Sequence, residues 1–151
     1  MHEEKKLVYV AGHNVIVYDI EDGIQMFIPG SANADAINFF CLSPSQRFIA
    51  ICEKALPRAQ VTIYEVISKK KRKTLPEPEM DNLSFEGKEF LSCAFSPETE
   101  KQHLITLSGE PDWCIIVWQW DQLKMLARTP LSFTSPPTEL GVFMLSTKKI
   151  G

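Results

Sequence analysis

Long apolar runs, paired cysteines and nucleotide-binding glycine motifs are all missing from this chain of 151 residues, and each absence removes a class of protein. A membrane-spanning helix needs about 18 to 20 consecutive apolar residues, and no stretch approaches that. The charged start MHEEKKLVYVAG has a short apolar stretch and no small-residue cleavage site, unlike a secretory leader. Neither GxGxxG nor a P-loop occurs to cradle a phosphate, and no GxSxG elbow presents a nucleophilic serine. Without CxxC or HExxH, the four Cys and three His lack the spacing that converges ligands on a metal. No cofactor, metal or catalytic set is therefore expected. His2 is terminal, His13 falls in a turn and His103 opens a strand, so solvated or capping roles are expected of them. A net charge of -3 gives no overall pull towards nucleic acid or an anionic membrane. Cys41, Cys52, Cys93 and Cys114 lie far apart, three of them inside the apolar runs INFFCL, FIAIC and CIIVW. That fits reduced, buried thiols in a cytosolic compartment.

Helical periodicity is also scarce, its best candidate being the short segment 120–127. What remains, at 44% apolar and 23% charged residues, is a globular composition. Short runs rich in Val, Ile, Phe, Tyr and Trp are bounded by Gly, Pro, Asn, Asp or Ser, which predicts an all-β fold. The runs come in copies. LSPSQRFIAICEKALPRAQVTIYEV (42–66) and FSPETEKQHLITLSGEPDWCIIVWQW (95–120) each carry Ser-Pro, a polar turn, a strand, a proline-containing loop and a second strand. Ser-Pro to the closing aromatic is 20 residues from Pro44 to Tyr64 and 21 from Pro97 to Trp118. A shortened first copy, VYVAGHNVIVYDIEDG (8–23), puts Tyr18 in the aromatic position. Pro29, Pro76 and Pro130 follow the three aromatics by 11, 12 and 12 residues. Repetition at this period determines an architecture that single strands cannot. Several strands, NFFCL, RFIAIC, VTIY and CIIVW, are apolar on both faces, as in a sheet stacked between two others.

These copies resemble the WD-repeat family, whose repeats end a strand with Trp-Asp. That dipeptide reads Tyr18-Asp19, Tyr64-Glu65 and Trp118-Gln119 here, with Trp120 close behind. No copy has the Gly-His pair at the usual place, since Gly12-His13 lies in a turn, so the buried hydrogen-bond tetrad of the family is not carried over. More specifically, VYVAGHNVIVYDIEDGIQMFIPG and IIVWQWDQLKMLA are similar to the start of cilia- and flagella-associated WD-repeat proteins, over residues 7–130. The resemblance implies a partial propeller over 1–130, with blades at about 7–30, 36–77 and 90–130, and an irregular tail at 131–151. It implies a non-enzymatic scaffold in the cytoplasm, cytoskeleton and ciliary axoneme, with inner-arm dynein or doublet-microtubule components as partners. In that reading Tyr18, Asp19, Tyr64, Glu65, Trp118 and Trp120 are structural repeat anchors. Ser135-Pro136 follows Pro130 much sooner than in the earlier junctions, which suggests a truncated product, splice variant or fragment. Two uncovered apolar blade faces would then need a covering partner.

One charge feature stands out, Lys69-Lys70-Lys71-Arg72-Lys73. It falls where the outer hairpin of the second blade turns, so a solvated turn is expected, ahead of a contact with an acidic surface such as tubulin or a nuclear import signal. Glu77, Glu79, Asp81, Glu86 and Glu89 lie in a polar connection expected to face water. Two other functions compete with the axonemal scaffold, a generic cytosolic or nuclear adaptor and a ligand-binding or catalytic propeller. The latter needs convergent polar side chains at the ends of the innermost strands, which AINFFCL and FLSCAF hardly supply.

Overall fold

The computed structural model describes residues 5–76, 78, 84–97 and 102–132. Within them the chain forms three antiparallel sheets in sequence order. Sheet 1 holds β1 (Lys6–Ala11), β2 (Asn14–Asp19) and β3 (Gln25–Pro29). Sheet 2 runs β4 (Ala34–Leu42), β5 (Phe48–Ala55), β6 (Gln60–Glu65) and β7 (Lys71–Thr74). Sheet 3 runs β8 (Phe90–Phe95), β9 (His103–Ser108), β10 (Cys114–Gln119) and β11 (Lys124–Pro130). Strands consecutive in sequence pair with one another throughout, the meander of a propeller blade. The three sheets are stacked as in a partial β-propeller, and none closes into a barrel among the described residues. Among the described residues sheet 1 has three strands where the others have four. The helical candidate at 120–127 is a 3-10 turn, Trp120–Gln122, leading into β11. The tail at 131–151 lies, beyond Ser132, outside the described residues.

Strand alternation explains the stacking. In β6, Val61 and Ile63 point to one side and join Cys93, Leu104, Ile116 and Trp118 of sheet 3 in one buried cluster. Tyr64, on the opposite side, joins Val15, Val17 and Ile28 of sheet 1 in a second cluster. β5 divides the same way, with Ala50 and Cys52 towards sheet 3 and Ile49 and Ile51 towards sheet 1. A strand buried on both faces has no need of polar alternation, and these runs have little.

Each copy also repeats its irregularities. Arg72 and Leu126 are the extra residues of two bulges, each opposite the step into the aromatic, Ile63/Tyr64 and Val117/Trp118. The fifth residue after each aromatic adopts a left-handed backbone: Gly23 at φ 67°, Lys69 at φ 57° and Leu123 at φ 54°. Only Gly23 does so without steric cost. Gly12, at φ 60°, makes the two-residue turn between β1 and β2.

Two buried threonines give a contrasting test. Thr106 accepts a 3.0 Å hydrogen bond from the Trp118 indole, whereas Thr62 sits where β2 and β10 carry Ile16 and Ile116, and its hydroxyl has no partner among the described residues. Thr62→Val should leave stability unchanged or raise it, while Thr106→Val should cost about 1 to 3 kcal/mol by orphaning the indole N–H. Urea denaturation of the two variants checks the assignment, and the opposite order would contradict it.

Candidate functional site

Tyr18, Tyr64 and Trp118 each lie one residue before the end of β2, β6 and β10, the strands that enter the outer hairpins, and each does a different job. Trp118 is fully buried and donates to Thr106 within its own sheet. Tyr64 reaches across to sheet 1, donating its hydroxyl to the Pro29 carbonyl at 3.3 Å. Burial, and then the charge of Glu53, raise the Tyr64 phenol above its ordinary range, which keeps it a donor. Tyr18 is half-buried on the outer face of sheet 1. Trp120 is buried at the opposite end of its turn and meets Phe48 of sheet 2 edge-on at 5.0 Å and Phe95 at 6.0 Å.

The residue after the aromatic organises the turn that follows. Asp19 Oδ1 accepts the backbone N–H groups of Glu21 and Asp22 at 3.0 and 3.1 Å. Glu65 gathers three elements: the Ser68 hydroxyl at 2.5 Å, Arg72 at 2.6 Å and Arg47 at 3.0 Å. The Ser68 hydroxyl foremost, then Arg72 and Arg47, lower the Glu65 carboxyl to about 2. Gln119 has no comparable carboxylate, and there the 3-10 turn takes over.

The basic run divides between turn and strand. Lys69 and Lys70 lie in the connection, but Lys71, Arg72 and Lys73 form most of β7, the outer edge of sheet 2. Thus the expectation of a turn holds for two of the five residues. Main-chain pairing of Lys71 with Tyr64 and Lys73 with Ile63 makes the strand, whatever the side chains. Arg72 is engaged by Glu65, while Lys69, Lys70 and Lys71 are exposed. Charged edges of this kind oppose pairing with a further strand.

Between the sheets, acidic residues hold the connecting segments. Glu53 is almost wholly buried, yet its carboxyl oxygens accept the Ser31 N–H at 2.6 Å, the Ser31 hydroxyl at 2.8 Å and the Gln60 amide at 3.0 Å. Ser31 lies in the link from sheet 1 to sheet 2. In the next link the Glu86 N–H donates to Asp112 at 2.5 Å, and Phe85 is buried under the Arg128 guanidinium. Glu86 is exposed and Glu89 half-buried, its carboxylate accepting from Asn38 at 3.2 Å; Glu77, Glu79 and Asp81 lie outside the described residues, as does His2. His13 caps the Ala34 carbonyl at 2.7 Å, and His103 begins β9.

A cleft of about 240 Å³ opens between the Ser-Pro turns of sheets 2 and 3, lined by Arg47, Phe48, Phe95, Gln102, His103 and Trp120. It offers aromatic surface and hydrogen-bonding groups. Nearby, Cys41 and Cys93 approach to 3.0 Å between the innermost strands β4 and β8. The Cys93 thiol and then burial push Cys41 well above the ordinary range, and burial does the same to Cys93. Both therefore stay protonated, which disfavours nucleophilic chemistry. Among the described residues no group of three or more His, Cys, Asp or Glu is placed to hold a metal.

No protein-family model matches the chain. It is homologous to cilia- and flagella-associated proteins. Cilia- and flagella-associated protein 57 of Mus musculus is 32% identical over 127 residues, 83% of this chain and 10% of the relative. Cilia- and flagella-associated protein 57 C of Tetrahymena thermophila is 29% identical over 123 residues, 80% of the chain and 9% of the relative. Cilia- and flagella-associated protein 251 of Pongo abelii is 27% identical over 144 residues, 94% of the chain and 11% of the relative. The chain thus spans about a tenth of the length of these relatives.

Two predictions test the polar framework. Because the Glu65 carboxyl titrates lower when folded, its contribution is complete above the ordinary carboxylate range near 4.5 and is lost as pH falls towards about 2. In thermal melts Glu65→Gln should lower Tm at pH 7 and flatten its fall between pH 5 and 2; an unchanged acid limb would remove Glu65 from this role. Glu53→Ala leaves Ser31 and Gln60 without their acceptor and should cost about 1 to 3 kcal/mol in denaturant unfolding.

Proposed function

We propose that the chain acts as a non-enzymatic protein–protein interaction scaffold of the ciliary or flagellar axoneme, in the manner of a WD-repeat protein. The observation that carries this reading is homology over four-fifths or more of the chain to proteins named for their association with cilia and flagella. The stacked sheets support it, since Tyr64, Trp118 and Trp120 are buried in packing while turns, edges and a cleft of mixed aromatic and polar lining face outward. As partners we propose axonemal components, inner-arm dynein or the doublet microtubule, in keeping with a role in positioning the motor.

The exposed lysines 69–71 are the proposed contact for an acidic surface such as tubulin. Their charges lie on one turn and the start of one edge strand, so they present together without disturbing the core. Arg72 is assigned to the fold instead, through Glu65.

Fluorescent tagging in ciliated cells, followed by detergent extraction, should leave the protein on the axoneme. Reversing Lys69, Lys70 and Lys71 to Glu should weaken co-sedimentation with isolated doublets at least tenfold without changing the melt. Retention in the nucleus or a diffuse cytosolic signal would overturn the axonemal reading. Unchanged co-sedimentation would remove the lysines from it.

A further inference from the structure

The innermost strands β4 and β8 lie against one another but belong to different sheets, so no main-chain ladder joins them. Side chains make the seam instead. At one point the Asn38 amide donates to the Glu89 carboxylate at 3.2 Å and to the Phe90 carbonyl at 3.3 Å. At another, Cys41 Sγ lies 3.0 Å from Cys93 Sγ. The repeat explains why these two thiols meet. Cys41 stands two residues before Ser43-Pro44 and Cys93 three residues before Ser96-Pro97. That difference of one position puts them on opposite faces of their own strands, and stacking turns those faces towards each other. Thus Phe39 and Cys41 of β4 face sheet 3, while Phe40 and Leu42 face sheet 1. The other two thiols are placed differently. Cys114 is held within sheet 3 by the Ser108 hydroxyl at 3.0 Å, and Cys52 is fully buried on β5.

From this placement we infer that Cys41 and Cys93 are a site of reversible oxidation, closing into a disulfide that clamps sheet 2 to sheet 3. A disulfide holds its sulfurs at about 2.05 Å, so closure asks for an approach of about 1 Å across the seam. The oxidant is a small-molecule disulfide, the oxidised form of a low-molecular-weight thiol. Cys41 is part-exposed and Cys93 buried, so Cys41 reacts first. Its thiol gives up a proton, and the thiolate attacks one sulfur of the small disulfide. A mixed disulfide forms on Cys41, and the displaced thiolate takes up a proton to leave as free thiol. Cys93 then loses its proton and attacks Cys41 Sγ, expelling a second free thiol. Overall two protein thiols and one small disulfide become one protein disulfide and two small thiols, with no net change in protons. Protonation of both cysteines makes the first step slow rather than forbidden, because only the thiolate fraction attacks. The new bond joins residues 52 apart and so constrains the unfolded chain. It also ties the two walls of the cleft, since Ser43 and Phe95, each two residues beyond a bridged cysteine, line opposite sides of it. None of this depends on the axonemal reading.

Incubating the whole native chain with glutathione disulfide, trapping the remaining thiols by alkylation and mapping linked peptides by mass spectrometry tests this. The expected product has lost two hydrogens, carries a single Cys41–Cys93 linkage and returns to the free thiols with a dithiol reductant. Cys52→Ser and Cys114→Ser should form the same linkage, whereas the urea-denatured chain should spread its linkages over other pairs. In thermal melts the oxidised wild-type chain should gain about 4 °C or more in Tm, and the same treatment should leave the Tm of Cys41→Ser unchanged. Glutathione retained on Cys41 without cross-linking would overturn the inference. So would a different linkage in the native chain, a native chain that stays reduced under conditions that oxidise the denatured one, or a linked chain whose Tm does not rise.

Discussion

Sheet 2 has no face left for water, and the rest of the molecule is arranged around that condition. Its central strands β5 and β6 are buried from both sides, Ile49, Ile51 and Tyr64 by sheet 1 and Ala50, Cys52, Val61 and Ile63 by sheet 3. Burial of apolar surface is the main favourable contribution to folding, and only stacking lets one sheet use both of its faces. A strand buried twice must keep all its main-chain groups within the sheet, which the antiparallel ladders to β4 and β7 provide. Sheets 1 and 3 are each covered by it on one side.

Stacking alone does not set the order or angle of the sheets; the links between them do. Both links are held by an acidic residue from the sheet they enter, Glu53 on Ser31 and Asp112 on Glu86. Within each sheet, the outer hairpin turns at the left-handed residue five positions after the aromatic. At Glu65 the same hairpin is cross-braced to the Ser-Pro turn through Arg47. Exposed pairs of this kind contribute little singly, but Glu65 engages three partners at once.

Much of this was legible in the sequence. Prolines, Ser-Pro turns and the spacing of Tyr18, Tyr64 and Trp118 marked the repeat, and doubly apolar runs such as RFIAIC implied burial on both faces. Other features leave no local signal. β7 is written KRKT, a strand made by main-chain pairing at an edge, so its side chains carry no period of two. Lys69 and Leu123 occupy the left-handed position without being Gly, and only comparison with Gly23 reveals them. Glu53 reads as a stray charge in an apolar run because its partners are Ser31, 22 residues earlier, and Gln60. The proximity of Cys41 to Cys93 arises from stacking two innermost strands that are 52 residues apart.

The central claim is that stability radiates from a middle sheet covered on both faces. Amide hydrogen exchange followed strand by strand measures this directly, because protection reports local opening free energy. The account predicts the slowest exchange in β5 and β6, intermediate rates in β9 and β10, and the fastest in β1 and β3 of the three-stranded sheet. Slowest exchange in sheet 1, or equal protection across all three sheets, would contradict it.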